Sequence, residues 1–258
     1  MSAKGRAAKG YVPDPNGFFS TQPQCTRAIL PFLGIKSGMR ILEPSCGNGA
    51  IAKVIREEFG KSICIVGVEI DKKRAERARE AEVTRTYVQD EQEHDERLPV
   101  FDQVIHSDFY KCDPSAYPPV DVIVTNPSFS IWLPFAEHCF KHEALSTTLL
   151  LPFNALASKK RMAWWKEHPA HARILSKRPS FAISVKCIAS TPQGRDLDLK
   201  NCQFQELVAL DAKPKKLCPK CGERTVTTSS DASEYMWATW SAEITRGLWD
   251  VIDTPGTT

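Results

Sequence analysis

Apolar residues along the chain fall into short blocks that end in polar clusters, and these blocks alternate with stretches of helical period. "MRILEPS" (39–45), "SICIVGVEI" (62–70), "DQVIHSDF" (102–109), "DVIVTNPS" (121–128) and the apolar run of "STTLLLPFNAL" (146–156) predict five strands. Between them, "GNGAIAKVIREEFG" (47–60), "DKKRAERAREAEV" (71–83) and "IWLPFAEHCFKHEAL" (131–145) predict helices. The first opens at a glycine-rich turn and stops at Gly60, and the second is capped by Asp71. Strands this apolar are covered on both faces, so the expected fold is α/β, a mostly parallel Rossmann-like sheet with helices on either side.

The pattern is weaker elsewhere. "GFFSTQPQCTRAILPFLGI" (17–35) reads as a loop entering a short amphipathic helix, and residues 88–101 as an acidic connector. Past residue 155, "ALASKKRMAWWKEHPA" predicts a helix and "ARILSKRPSF" a short strand with a loop, while "SEYMWATW" (233–240) resumes strand alternation. Residues 186–230 hold four of the nine cysteines and little periodicity. The expected organisation is a flexible arm (1–13), a main domain (14–185 and 231–250) and a Cys-rich insertion (186–230).

Composition narrows this only slightly. A net charge of +3 over 258 residues leaves any nucleic-acid contact to a local patch. The N-terminus "MSAKGRAAKG" lacks an apolar core for a signal peptide, and no window approaches the roughly 18 apolar residues of a membrane span. A soluble, cytoplasmic protein is expected, with its cysteines as thiols or metal ligands.

Candidate chemistry sits at the strand ends. Gly47 and Gly49 let backbone approach a ligand closely, yet the loop has neither the GxGxxG dinucleotide pattern nor a Walker lysine. Glu43, ahead of the glycines, disfavours a phosphate and suits a cation. Glu69 is placed to accept a ribose diol, and Asp108 an adenine amino group. Three acids in this order describe S-adenosylmethionine. The alternative for each alone is a solvated strand end or a helix cap.

In order, "ILEPSCGNGAIA", "VGVEID", "HSDF" and "VTNPSF" resemble the class I S-adenosylmethionine-dependent amino-methyltransferases, in particular the N6-adenine DNA methyltransferases of small phage and bacterial type. "GFFSTQP" (17–23) resembles that group's upstream motif, and "SKRPSF" with "SEYMWATW" its tail. The resemblance spans about residues 14–183 and 231–242. It implies a seven-stranded sheet, a monomer in a bacterial or phage-infected cell, and duplex DNA with a flipped adenine as partner. It also implies cofactor contacts from Phe19, Ser20, Thr21, Glu43, Pro44, Ser45, Gly47, Gly49, Glu69, Ile70, Asp108, Phe109 and Asn126, and base contacts from Phe129, Arg178 and Phe181. The family pattern has a second proline where this chain has Ser128, which implies a less rigid turn with its chemistry kept.

The motif Asn126-Pro127-Ser128-Phe129 suits a planar amine. Such a nitrogen must pyramidalise to attack, and two acceptors aimed at its hydrogens, the Asn126 side-chain oxygen and the Pro127 carbonyl, favour that change. Phe129 is placed to stack on the extruded base. A carboxamide presents the same group, so an RNA or protein-glutamine methylase is an alternative, as is a binding protein that has lost catalysis through Ser128.

"CPKCG" (218–222) has the spacing of a zinc knuckle, and Cys187 and Cys202 would complete a structural site with Cys218 and Cys221. In "SKKRMAWWK" (158–166), cations and tryptophans suit either a nucleic-acid backbone or an ordinary amphipathic helix.

Overall fold

A computed structural model describes residues 18–177, 179, 182–187, 205–209, 216–229 and 234–255. The chain divides into two units: Thr21–Pro179 with Ser233–Thr258, and the described residues of Met1–Ser20 and Ser180–Ala232. In chain order the larger unit runs α1 (Pro23–Ile29), β1 (Arg40–Glu43), α2 (Ala50–Phe59), β2 (Cys64–Glu69), α3 (Lys72–Glu80), β3 (Glu82–Gln89), β4 (Gln92–Pro99), β5 (Gln103–His106) and β6 (Val122–Thr125). It continues through α4 (Trp132–Phe140), β7 (Ser146–Pro152), α5 (Lys159–Glu167) and β8 (His171–Leu175). The smaller unit holds β9 (Ala182–Cys187), β10 (Gln205–Ala209) and β11 (Thr225–Ser229); β12 (Tyr235–Ser241) and β13 (Leu248–Ile252) then return to the larger one.

The main sheet has eight strands in the order β13-β8-β12-β7-β6-β1-β2-β5. From β5 to β7 every pairing is parallel; β12 lies antiparallel between β7 and β8, and β13 pairs parallel with β8. The eighth strand corrects the expected seven. Leu248, Trp249 and Val251 of β13 are exposed, so this edge strand carries no apolar alternation that would announce it.

A second correction concerns residues 88–101, which form much of the β3–β4 hairpin rather than a connector. Its tip turns at Asp90 and Glu91 with φ of 51° and 62°, where a glycine would usually signal the turn. Helix α3 ends at Glu80, because Val83 already pairs with Leu98.

The central strands are buried as their sequences require: all four residues of β6 and six of the seven in β7 are covered. From β1 the chain runs outward to β2 and β5, then returns to lay β6 on the other side of β1. In open α/β sheets ligands bind beyond the carboxyl ends of the strands at such a reversal, here the ends of β1 and β6. Buried Arg56 anchors the far end of α2, donating to the carbonyls of Gly60, Ile63 and Val100 and pairing with Asp102.

The turn after β1 rests on Phe101, itself 6% exposed. A Cβ at Gly49 (φ 83°) would lie 2.8 Å from the Phe101 ring, and one at Gly67 in β2 would lie 2.9 Å from both that ring and Cys46 Sγ. Space alone excludes a side chain at Gly67, since no positive φ strains its strand backbone. Gly67→Ala is therefore expected to cost about 1–3 kcal/mol in urea denaturation, and adding Phe101→Leu should recover part of it. An unchanged midpoint for Gly67→Ala would contradict this packing.

Candidate functional site

Glu43 ends β1, is 2% exposed, and accepts the Ala52 N–H at 3.1 Å through Oε2. Glu69 ends β2 and is 4% exposed. Its Oε2 accepts the Gly47 N–H at 2.8 Å, and its Oε1 accepts from the Asp71 N–H at 2.8 Å and Arg74 Nε at 3.2 Å. Asp108 follows β5, accepts the Tyr110 N–H at 3.1 Å and lies 3.9 Å from Lys111 Nζ. The three acids thus stand at the ends of three adjacent parallel strands. Although α3 is densely charged, its Arg74 does not face solvent: it is buried and ion-paired with Glu69 at 3.2 Å.

The glycine turn is shaped from both sides. Gly47 and Gly49 take φ of 55° and 83°, and the Cys46 N–H donates to the Val68 carbonyl. Between the glycines, Asn48 buries its side-chain oxygen without a hydrogen-bond partner among the described residues. Such an atom ordinarily finds one, so this acceptor fits a ligand donor at the turn. Burial pushes the Glu43 carboxyl well above its ordinary range, the Ala52 N–H opposing and the Glu69 charge adding. A nearby cation would favour the charged form. Burial, with Glu43 and Glu69 beside it, also raises the Cys46 thiol, which makes that sulfur a poor nucleophile.

Asn126 follows the fully buried β6, and its Nδ2 donates to Thr21 Oγ1 at 3.0 Å. Thr21 is 4% exposed and lies two residues before α1, which the buried Trp237 holds by donating from Nε1 to the Cys25 carbonyl at 2.9 Å. Pro127 is buried. The Ile131 N–H donates to the Ser128 carbonyl at 3.1 Å, and the Ser128 and Ser130 hydroxyls lie 3.1 Å apart, so hydrogen bonds close the turn that a second proline would otherwise stiffen. The half-buried Phe129 ring lies 5.5 Å from that of buried Tyr235.

The remaining candidates are scattered. Pro44 is buried and Ser45 half-buried in the turn, while Ile70 is exposed beyond Glu69. Phe109 is 4% exposed and packs against Phe135, His138 and His142, a support beneath Asp108 rather than an open ring. Phe19 and Ser20 belong to the smaller unit. Arg178, Phe181 and Cys202 lie outside the described residues. Cys187, Cys218 and Cys221 come together in the smaller unit. In α5 the tryptophans serve the core: Trp164 is 8% exposed, Trp165 stacks on Trp240, and Arg161 donates to the carbonyls of Asn154, Ala155 and Ala157. Asn48, Arg74 and Tyr235 escaped sequence reasoning. The asparagine between two loop glycines was the one available signal.

The family described as protein-L-isoaspartate(D-aspartate) O-methyltransferase matches residues 15–111, ending before β6. No curated protein sequence matches the chain. Among solved structures, the methyltransferase subunit of a type I restriction-modification system from Streptococcus thermophilus is similar at 13% identity and a TM-score of 0.50, over 92% of this chain and 47% of that one. This chain therefore spans about half of that subunit. An S-adenosylmethionine-dependent O-methyltransferase from Thermotoga maritima (14% identity, TM-score 0.46, 86% and 68% covered) and a precorrin-6y C5,15-methyltransferase from Geobacter metallireducens (8%, 0.46, 90% and 93%) are also similar. The chain has the class I fold of S-adenosylmethionine-dependent methyltransferases, with one strand added at the edge.

Because burial raises the Glu43 carboxyl in the folded chain, the folded state keeps a proton that the unfolded chain loses above the ordinary carboxylate range. Its contribution to stability therefore falls as pH rises through that window. A glutamine at this position still accepts from Ala52 and never ionises. Glu43→Gln is expected to melt above the parent at neutral pH and to converge with it in acid. A gap of equal size at both pH values would contradict the assignment.

Proposed function

We propose that the chain transfers a methyl group from S-adenosylmethionine to the exocyclic amino group of adenine in DNA. The observation that carries this reading is the seating of Asn126: it follows β6, the strand that pairs parallel with β1, and its amide is oriented by Thr21. In this reading Glu69 faces the ribose, Asp108 the adenine of the cofactor, and Asn48 and Glu43 its positively charged end. Glu69 already accepts three hydrogen bonds, and a carboxylate has about four lone-pair sites. The ribose therefore takes the remaining site or displaces Arg74.

When bound, S-adenosylmethionine supplies an electrophilic methyl whose bonding pair stays on sulfur. The protein's part is to prepare the amine. Thr21 Oγ1 accepts a hydrogen bond from the Asn126 amide N–H, which fixes the amide plane and turns Oδ1 to accept from the target N–H₂. The Pro127 carbonyl is the second acceptor. Two acceptors on two hydrogens draw the nitrogen toward a tetrahedral shape and aim its lone pair, and the surplus proton leaves to solvent after transfer. Phe129, backed by Tyr235, offers the base a stacking face worth about 1–3 kcal/mol, comparable with the few kcal/mol of extrusion.

The family match ends before Asn126, so it supports the cofactor half and is silent on the acceptor. The order of motifs around "VTNPSF" favours an amine over a carboxylate. Methyl-labelled cofactor offered with duplex DNA, RNA and total protein is expected to label DNA, as N6-methyladenine. Label confined to RNA or protein would overturn the substrate assignment. Asn126→Ala should lower transfer about 10²–10³-fold, as loss of one well-placed polar contact to a reacting group does, and leave cofactor affinity nearly unchanged. Equal losses in both would place Asn126 with the cofactor instead.

A further inference from the structure

We propose that Cys187, Cys218 and Cys221 supply three of the four ligands of one zinc ion, a structural site that joins the end of β9 to the turn preceding β11. The three sulfurs lie within 4.8 Å of one another, and Cys187 Sγ and Cys221 Sγ are 3.4 Å apart. A zinc–thiolate bond of about 2.3 Å sets the edge of a regular tetrahedron near 3.8 Å. The observed spacing brackets that edge. It exceeds the S–S bond of about 2.05 Å that would mark a disulfide.

The backbone is built around the sulfurs. Residues 217–224 form a tight turn: Leu217 bridges Arg224, the Cys218 N–H donates to the Glu223 carbonyl at 2.7 Å, and the Gly222 N–H to the Cys218 carbonyl at 2.9 Å. Gly222 takes a φ of 79°, which a side chain would oppose. The Lys220 N–H reaches Cys218 Sγ at 3.4 Å, the kind of supporting contact that favours a thiolate ligand. Cys187 arrives from a separate strand, its register fixed opposite Thr225. Cys187 is 0% and Cys218 3% exposed, while Cys221 is exposed. A metal that displaces the three thiol protons gains three thiolate donors, and such a set selects a soft, tetrahedral ion.

Such a site gives a small three-stranded sheet a fixed point. Strands β10-β9-β11 make a sheet too small to bury a large core, and structural zinc supplies folding energy in modules of this size. The proposal is independent of the methyl-transfer reading, because its readout is metal content.

The test uses the full chain, purified reduced and stripped by chelation, then titrated with cobalt(II) and competed with zinc(II). One equivalent of cobalt should bind with the visible bands and sulfur charge-transfer absorption of a tetrahedral thiolate site, and zinc should displace it. Cys221→Ser, at an exposed position, should lose those bands and weaken binding by more than the roughly 10–100-fold of a merely supporting partner. Cys64→Ser, in the other unit, should bind as the parent does, with far-ultraviolet circular dichroism showing both variants folded. Cobalt spectra without sulfur charge transfer, unaltered binding by Cys221→Ser, or a Cys187–Cys221 disulfide in protein isolated under reducing conditions would each overturn the proposal.

Discussion

Parallel pairing of β5, β2, β1 and β6 is the constraint on which the site depends. Strands that run the same way end on the same side, so the residues that close them stand side by side although they are far apart in sequence. Glu43, Glu69, Asp108 and Asn126 owe their proximity to this arrangement and to the reversal of chain direction between β1 and β6. The apolar burial of β1, β6 and β7 holds the arrangement, since each buried aliphatic side chain contributes roughly 1.5–3 kcal/mol.

That burial is in tension with the chemistry at its edge. Glu43 and Glu69 are almost fully covered, which penalises their charged forms. The chain answers in two ways. Glu69 is ringed by two backbone N–H groups and Arg74, whereas Glu43 has the single Ala52 N–H and a carboxyl raised by burial. An underserved carboxyl beside a glycine turn suits a ligand that brings positive charge, as the proposed cofactor would. Asn126 is treated differently again: a threonine, a helix and Trp237 hold it in one orientation.

Most of the fold was legible because buried parallel strands are nearly continuous apolar runs, and Asp71, Gly60 and the glycine turn mark their helix boundaries. The β3–β4 hairpin was hidden because Asp90 and Glu91 adopt positive φ without a glycine, and β13 because an edge strand need not alternate. At the site, strand-end acids can be read from sequence since their position follows from the strands. Their partners cannot. Arg74 looks like any charged helix residue until α3 is packed on β2, and Tyr235 meets Phe129 only across more than a hundred residues of chain. The tryptophans of "MAWWK" suited either a nucleic-acid backbone or an ordinary amphipathic helix, and the packing of α5 on β12 decides them as core.

The central claim, that one cofactor is held over the ends of β1, β2 and β5, is tested most directly by calorimetric titration of the purified chain with S-adenosylmethionine. The expected result is one molecule per chain, with Glu69→Gln weakening it at least tenfold, the loss of about 1.5–3 kcal/mol for a hydrogen bond to a charged group. No measurable binding by the parent chain, or the same affinity in Glu69→Gln, would contradict it.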